Sequence, residues 1–334
     1  MPSALTLSTG LLALAAGSVQ AQYTLDTQYD STNFFNEFTF FTEHDPTNGF
    51  VEYIDGAAAM ANGLASTDNN VVHMGVDSVT LAPANGRQSV RVTSNKSYNK
   101  GLFIADIAHM PSSTCGSWPA FWAVGPDWPY SGEIDIIENV NNAKTTAITL
   151  HTSDGCVITN EGSLPDTVLE DGDCAIGDDN KGCGQDTTDT SNYGDGFNAV
   201  EGGVYAMEWT SEAIAIWFFA RSKIPEDITS GNPDPASWGL ASAKFNGGSG
   251  CNIDNYFKDN QLVFDTTFCG DWAGRVWDTN SECKALADTC QDYVSNNPEA
   301  FAESFWTVNS IKVYQNGGNG TMSAPNRVAR AFNA

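Results

Sequence analysis

Positive charge is scarce in this sequence. Lys and Arg number 15 against 41 Asp and Glu, a net charge of −26 at pH 7, and such a field repels polyanions at long range. Nucleic acid is therefore not an expected partner, and the excess acid reads first as a source of solubility. Long apolar runs are missing too. Nothing after Ala21 approaches the ~20 uninterrupted apolar residues of a spanning helix, so no membrane partner is expected. The 8 cysteines contain no CxxC spacing, which removes the common zinc and dithiol readings. His44, His73 and His109 show no ligand spacing, and neither a metal nor a cofactor is expected. Repeats, heptads and long Pro- or Ser-rich linkers are also absent, so a single domain over 22–334 is the economical reading.

What is present begins with residues 1–21. The apolar run Leu11 to Ala16 is followed by Val19-Gln20-Ala21, which fits a signal peptide with a small-residue cleavage site. A leader together with an even set of cysteines implies secretion into an oxidising compartment and up to four disulfides. The pairing is open beyond a preference for local pairs such as Cys174 with Cys183. Asn95-Lys96-Ser97 and Asn319-Gly320-Thr321 are glycan acceptor sequons.

Short apolar and β-branched runs follow one another at Gln88 to Thr93, Leu102 to Ile107, Thr145 to His151, Val204 to Trp209, Ala213 to Phe219 and Trp306 to Tyr314. Gly, Asn, Asp and Pro punctuate them, the pattern of an all-β chain. Hydrophobic residues at 41% are enough for a proper core. From Thr152 to Gly203 turn chemistry dominates and predicts long surface loops. Lys284 to Ser295 is the best candidate for a short helix. Trp209, Trp217, Trp238, Trp277 and Trp306 are read as structural.

The chemistry concentrates in Gly132-Glu133-Ile134-Asp135-Ile136-Ile137-Glu138. In a strand, side chains alternate faces, so Glu133 and Asp135 share one while Ile134 and Ile136 take the other. Strict alternation would place Ile137, not Glu138, with the acids. One extra residue near Ile136-Ile137, a β-bulge, returns Glu138 to their face, and that bulge is predicted. At ~3.3 Å per residue the two glutamates then stand about 13 Å apart at Cα. Side chains that lean inward bring the carboxyls to roughly 5–6 Å, the spacing of retaining rather than inverting glycosidases. Three acids on one face repel, so at least one should keep a proton near neutrality. Trp118, Trp122 and Trp128 flank them, and a sugar packs its apolar CH face on such rings while its hydroxyls seek acids.

The run Trp118-Pro119-Ala120-Phe121-Trp122 followed by this Glu-Ile-Asp-Ile-Ile-Glu motif resembles glycoside hydrolase family 16, in particular its fungal laminarinase-like endo-1,3(4)-β-glucanases. The motif is similar to the bulged form seen in laminarinases. The likeness runs from the Phe34-Phe35 region to Ser310–Tyr314. It implies a concanavalin-like β-sandwich, a jelly roll with a concave substrate cleft. It also implies Glu133 as nucleophile, Glu138 as general acid/base and Asp135 as assisting acid. Trp122 and Trp128, with Trp118, would line the cleft, His151 would be a cleft histidine, and Trp272 would stand on the glycone side. The expected protein is a secreted monomer that cleaves β-1,3 and mixed β-1,3/1,4 glucans such as laminarin internally and with retention. Three rivals are weighed: a cell-wall glucan transglycosylase, a glucan-binding lectin on the same fold, which would not need both glutamates, and a galactan-cleaving relative, which the laminarinase-like motif disfavours.

Overall fold

The computed structural model describes residues 23–316; the expected leader and the Asn319 sequon lie outside the described residues. Two antiparallel sheets face each other. One runs in the order Ala243–Asn246, Ala213–Ala220, Gly203–Trp209, Gly101–His109, Phe305–Asn316, Val72–Gly75 and Ala65–Ser66, and Tyr23–Asp30 also pairs with Phe305–Asn316. The other runs Val168–Leu169, Cys183–Asp186, Ala147–His151, Glu133–Glu138, Ser117–Val124, Asn260–Phe268, Val92–Tyr98 and Phe38–Phe40. This is the expected all-β jelly roll.

The two sheets differ in how their strands read, and burial is the reason. In the first, both faces are covered: Met207, Trp209, Ile214 and Ile216 point into the core between the sheets, while Leu102, Ile104, Val204 and Ala206 pack outward against Ile228 and Tyr314. Continuous apolar runs follow. The second sheet packs its inner face on the same core, through Phe121, Ala123, Ile134, Ile137, Ile148, Leu150, Leu262 and Phe264, and lines its other face with polar side chains, among them the buried Asp135, Thr149, His151 and Asp265. Its alternate residues face outward, and they include all three acids of the motif.

Several expectations change in detail. Gln88 to Thr93 is not one strand. Arg87–Ser89 pairs in parallel with Val51–Tyr53, and Val92–Tyr98 joins the second sheet, leaving Arg91 in the break between them. Lys284 to Ser295 is not one helix either: Ser281–Lys284 and Cys290–Asn296 are separate, because Asn280 and Thr289 each accept a backbone N–H as N-caps. The segment expected to be loops adds Val168–Leu169 and Cys183–Asp186 to the edge of the second sheet and a helix at Gly194–Ala199. The eight cysteines pair as Cys115–Cys283, Cys156–Cys251, Cys174–Cys183 and Cys269–Cys290. Among the described residues no helix is long and apolar enough to cross a membrane.

Candidate active site

The predicted bulge is present. Against Ser117–Val124, Asp135 opposes Trp122 and Ile137 opposes Phe121, so Ile136 is the extra residue. Against Ala147–His151, Asp135 opposes Thr149 and Glu138 opposes Ala147, three steps on one strand against two on the other. Residues opposite one another in an antiparallel pair share a face. Glu133, Asp135 and Glu138 therefore project together with Trp122, Thr149 and His151, while both Ile136 and Ile137 stay in the core.

Local structure holds this strand at both ends. At its start, Gly132 has a φ of +73°, and a Cβ there would lie 2.5 Å from the Phe257 ring and 2.6 Å from the Tyr256 carbonyl, so only glycine fits. Ser131 closes the preceding turn by accepting from Asp127 N at 2.7 Å and donating its own N–H to Asp127 O at 2.9 Å. At its end, Glu138 N donates to Thr146 Oγ1 at 3.0 Å and Asn139 Nδ2 to Thr145 O at 2.8 Å.

The acids form a dense cluster. His151 Nε2 lies 3.3 Å from Asp135 Oδ2 and 4.0 Å from Glu133 Oε1, and Trp118 Nε1 donates to Glu138 Oε1 at 2.7 Å. Burial and then the charge of Asp135 raise both Glu133 and Glu138 to about 8, with the Trp118 hydrogen bond opposing the rise at Glu138. Asp135, almost fully enclosed, is pushed well above the usual carboxylate range by burial and by the charge of Asp265. Glu133 keeps 17% of its side chain open, enough to meet a ligand. Atoms of Glu133, Asp135 and His151 all lie within 4.8 Å of one another. That spacing could admit a cation, but it is equally the spacing of groups that share protons, and the raised acids fit the second description.

Aromatic rings wall the cluster. Trp118 meets Trp272 edge to face at 5.6 Å, and Trp272 sits on the turn Gly270–Gly274. That turn is tied down by Asn141, whose Nδ2 donates to Ala273 O at 3.1 Å and whose Oδ1 accepts from Gly116 N at 2.7 Å. The Cys269–Cys290 bridge anchors its start. Trp128 is placed differently, in the connection between Val124 and Glu133. The buried Nε1 atoms of Trp122 and Trp128 and Nδ1 of His151 have no hydrogen-bond partner among the described residues.

Sequence reasoning missed Arg91 and Asp265, which stand on the same face. The Arg91 guanidinium lies 5.0 Å over the Trp122 ring and 4.5 Å over Phe41, and its Nη1 is 3.9 Å from Asp265 Oδ2. The signal available was an ionisable residue inside each of two apolar runs, Val90-Arg91-Val92 and Leu262-Val263-Phe264-Asp265.

Comparison with known proteins agrees with this geometry. A model of the XgeA-like, catalytic GH16 domain matches residues 38–314. The chain is 43% identical over 333 residues to an endo-1,3(4)-beta-glucanase of Arthroderma benhamiae, covering 97% of this chain and 71% of that protein. It is 42% identical to the endo-1,3(4)-beta-glucanase xgeA of Emericella nidulans, over 97% of this chain and 54% of that one. The chain thus spans only about half the length of several relatives it matches. Among solved structures, an elongating GH family 16 beta-1,3-glucosyltransferase aligns with a TM-score of 0.83 at 43% identity, over 88% of this chain and 100% of that one. Laminarinase 16A from Phanerochaete chrysosporium, with 6-O-glucosyl-laminaritriose in both donor and acceptor sites, aligns at 0.82 and 38% identity with the same coverage.

Proposed function

The chain belongs to glycoside hydrolase family 16, and from that premise we propose that it is a retaining endo-1,3(4)-β-glucanase with Glu133 as nucleophile, Glu138 as general acid/base and Asp135 as assisting acid. The observation that carries the reading is the bulge at Ile136, which aligns three acids on one outward face beside Trp118, Trp122 and His151.

In the first step Glu138 gives its proton to the glycosidic oxygen as Glu133 attacks the anomeric carbon, and the aglycone leaves. In the second, Glu138 takes a proton from water, which attacks the glycosyl-enzyme and frees Glu133. Burial raises both glutamates to about 8, so a proton shared within the pair leaves one carboxyl, assigned here to Glu138, to donate and the other, Glu133, to attack. Asp135 and His151 stand beside Glu133 to hold its charge in order as the covalent bond forms and breaks. Trp118, Trp122, Trp128 and Trp272 offer rings to glucosyl units on the two sides of the cleavage point. The reading includes action as a secreted monomer; four disulfides support an oxidising compartment.

A timed product profile on laminarin, lichenan and a β-1,4-glucan, wild type beside Glu133→Ser, tests this. Short oligosaccharides are expected from laminarin, with the rate reduced at least ~10³-fold in the variant. Binding without cleavage by both proteins would leave a lectin. The relative named as a glucosyltransferase makes transfer the second reading, and products longer than the starting chains would favour it.

A further inference from the structure

Asp265 is a buried acid without a sufficient counterpart. Among the described residues its side-chain partners are Tyr53 OH, which donates to Oδ2 at 3.4 Å, and Arg91 Nη1 at 3.9 Å. Nearby Asp45 shows the contrast. It accepts from Thr47 Oγ1, Gly49 N and Thr267 Oγ1 at 2.9, 3.1 and 2.6 Å, so its charge is satisfied locally. A buried carboxylate is ordinarily hydrogen-bonded in the second way.

The register says what Asp265 faces. Ala120 opposes Glu138 on one side and Asp265 on the other, so the three residues form one row across the sheet on the same face. The middle residue contributes a single methyl, and no tall side chain from that row separates the two acids. Two strand spacings put their Cα atoms about 10 Å apart.

We propose that Asp265 is a positioning residue of this cleft, holding the Arg91 guanidinium against the face of Trp122 and standing as the negative neighbour of Glu138 across Ala120. The proposal rests on the assignment of Glu138 as acid/base. Titration supports it. Burial, partly offset by Arg91, brings Asp265 to about 7. After burial and Asp135, the charge of Asp265 is among the causes that raise Glu138, the direction expected of a negative neighbour that helps the acid keep its proton. Around Asp265 the other ionisable groups are Tyr53 and Asp45 from the preceding segments, Arg91 from the break before Val92 and Asp135 from the motif strand, and around Glu138 they are Asp135, His151 and Asp265 itself.

The test is Asp265→Asn, read both in the pH profile of glucan cleavage and in the carboxyl 13C NMR titration of Glu138. Removing a negative charge at this distance should move the basic limb, and the Glu138 midpoint, to lower pH by about one unit. Loss of the Arg91 anchor should raise KM, and Asp265→Glu should restore the limb. Arg91→Gln, which removes a positive charge, should move the limb the other way even if the asparagine variant folds poorly. A limb and midpoint unchanged in every variant would overturn the proposal. A wild type that leaves glucan intact would instead overturn the enzyme reading, with the NMR midpoint still deciding the role of Asp265.

Discussion

Trp118 donates its indole N–H to Glu138 and rests its ring against Trp272, so one side chain serves both the proton and the wall. Trp118→Phe separates the two duties. The ring contact survives, and a hydrogen bond to a charged group, worth ~1.5–3 kcal/mol, is lost. kcat/KM should fall about 10- to 100-fold, mostly in kcat. Because the N–H stabilises the ionised form of Glu138, its loss should carry the basic limb to higher pH, opposite to Asp265→Asn. A purely structural Trp118 would leave the limb where it was. The motif acids were legible at this scale because alternation alone groups Glu133 with Asp135. Arg91 and Asp265 were not, because their partners are brought together only by strands far apart in the chain.

The bulge is the property of an element rather than of a residue. With Ile136 removed, Ile137 would still oppose Phe121 and Glu138 would still oppose Ala120, so the register with both neighbouring strands survives. Deletion of Ile136 should therefore keep Glu138 on the cleft face and keep measurable glucan cleavage. The cost is a fully buried side chain, about 2–5 kcal/mol, seen as a lower thermal midpoint. An alanine inserted after Ile137 should do the reverse, turning Glu138 toward the core and abolishing turnover. Full activity in the insertion variant would show that the bulge does not set the face. Hydrophobic alternation made the bulge readable in advance, since Glu138 falls out of phase without it. The expected helix over Lys284 to Ser295 missed the cap at Thr289, which starts a separate helix at Cys290, because apolar spacing alone does not mark where a chain breaks.

Over the whole molecule the buried acids couple activity to stability. A carboxyl raised from 4.5 to about 8 on folding, as at Glu133 and Glu138, binds more protons folded than unfolded between those values. Stability is then greatest below about 4.5 and declines as the pH rises through about 8. The thermal midpoint should therefore be higher at pH 5 than at pH 8, and the drop should shrink in a Glu133→Gln, Glu138→Gln double variant. Repulsion within a chain of net charge −26 also grows with pH, but it acts on both proteins, so the difference between their drops isolates the cleft. Equal drops would mean that these two glutamates are not strained by burial.

The sequence by itself determined that strands would dominate, which face of the motif strand carries acid, and that a bulge must restore Glu138 to it, because each follows from the alternation of side chains along one strand. It also marked the aromatic wall by proximity in the chain. Only the tertiary structure decided that Trp272 closes on Trp118, that Asn141 and two disulfides hold that contact, and that Asp265 and Arg91 complete the face. Those relations join residues separated by long stretches of chain. Their distances depend on strand order and register across the sheet, which no local pattern encodes.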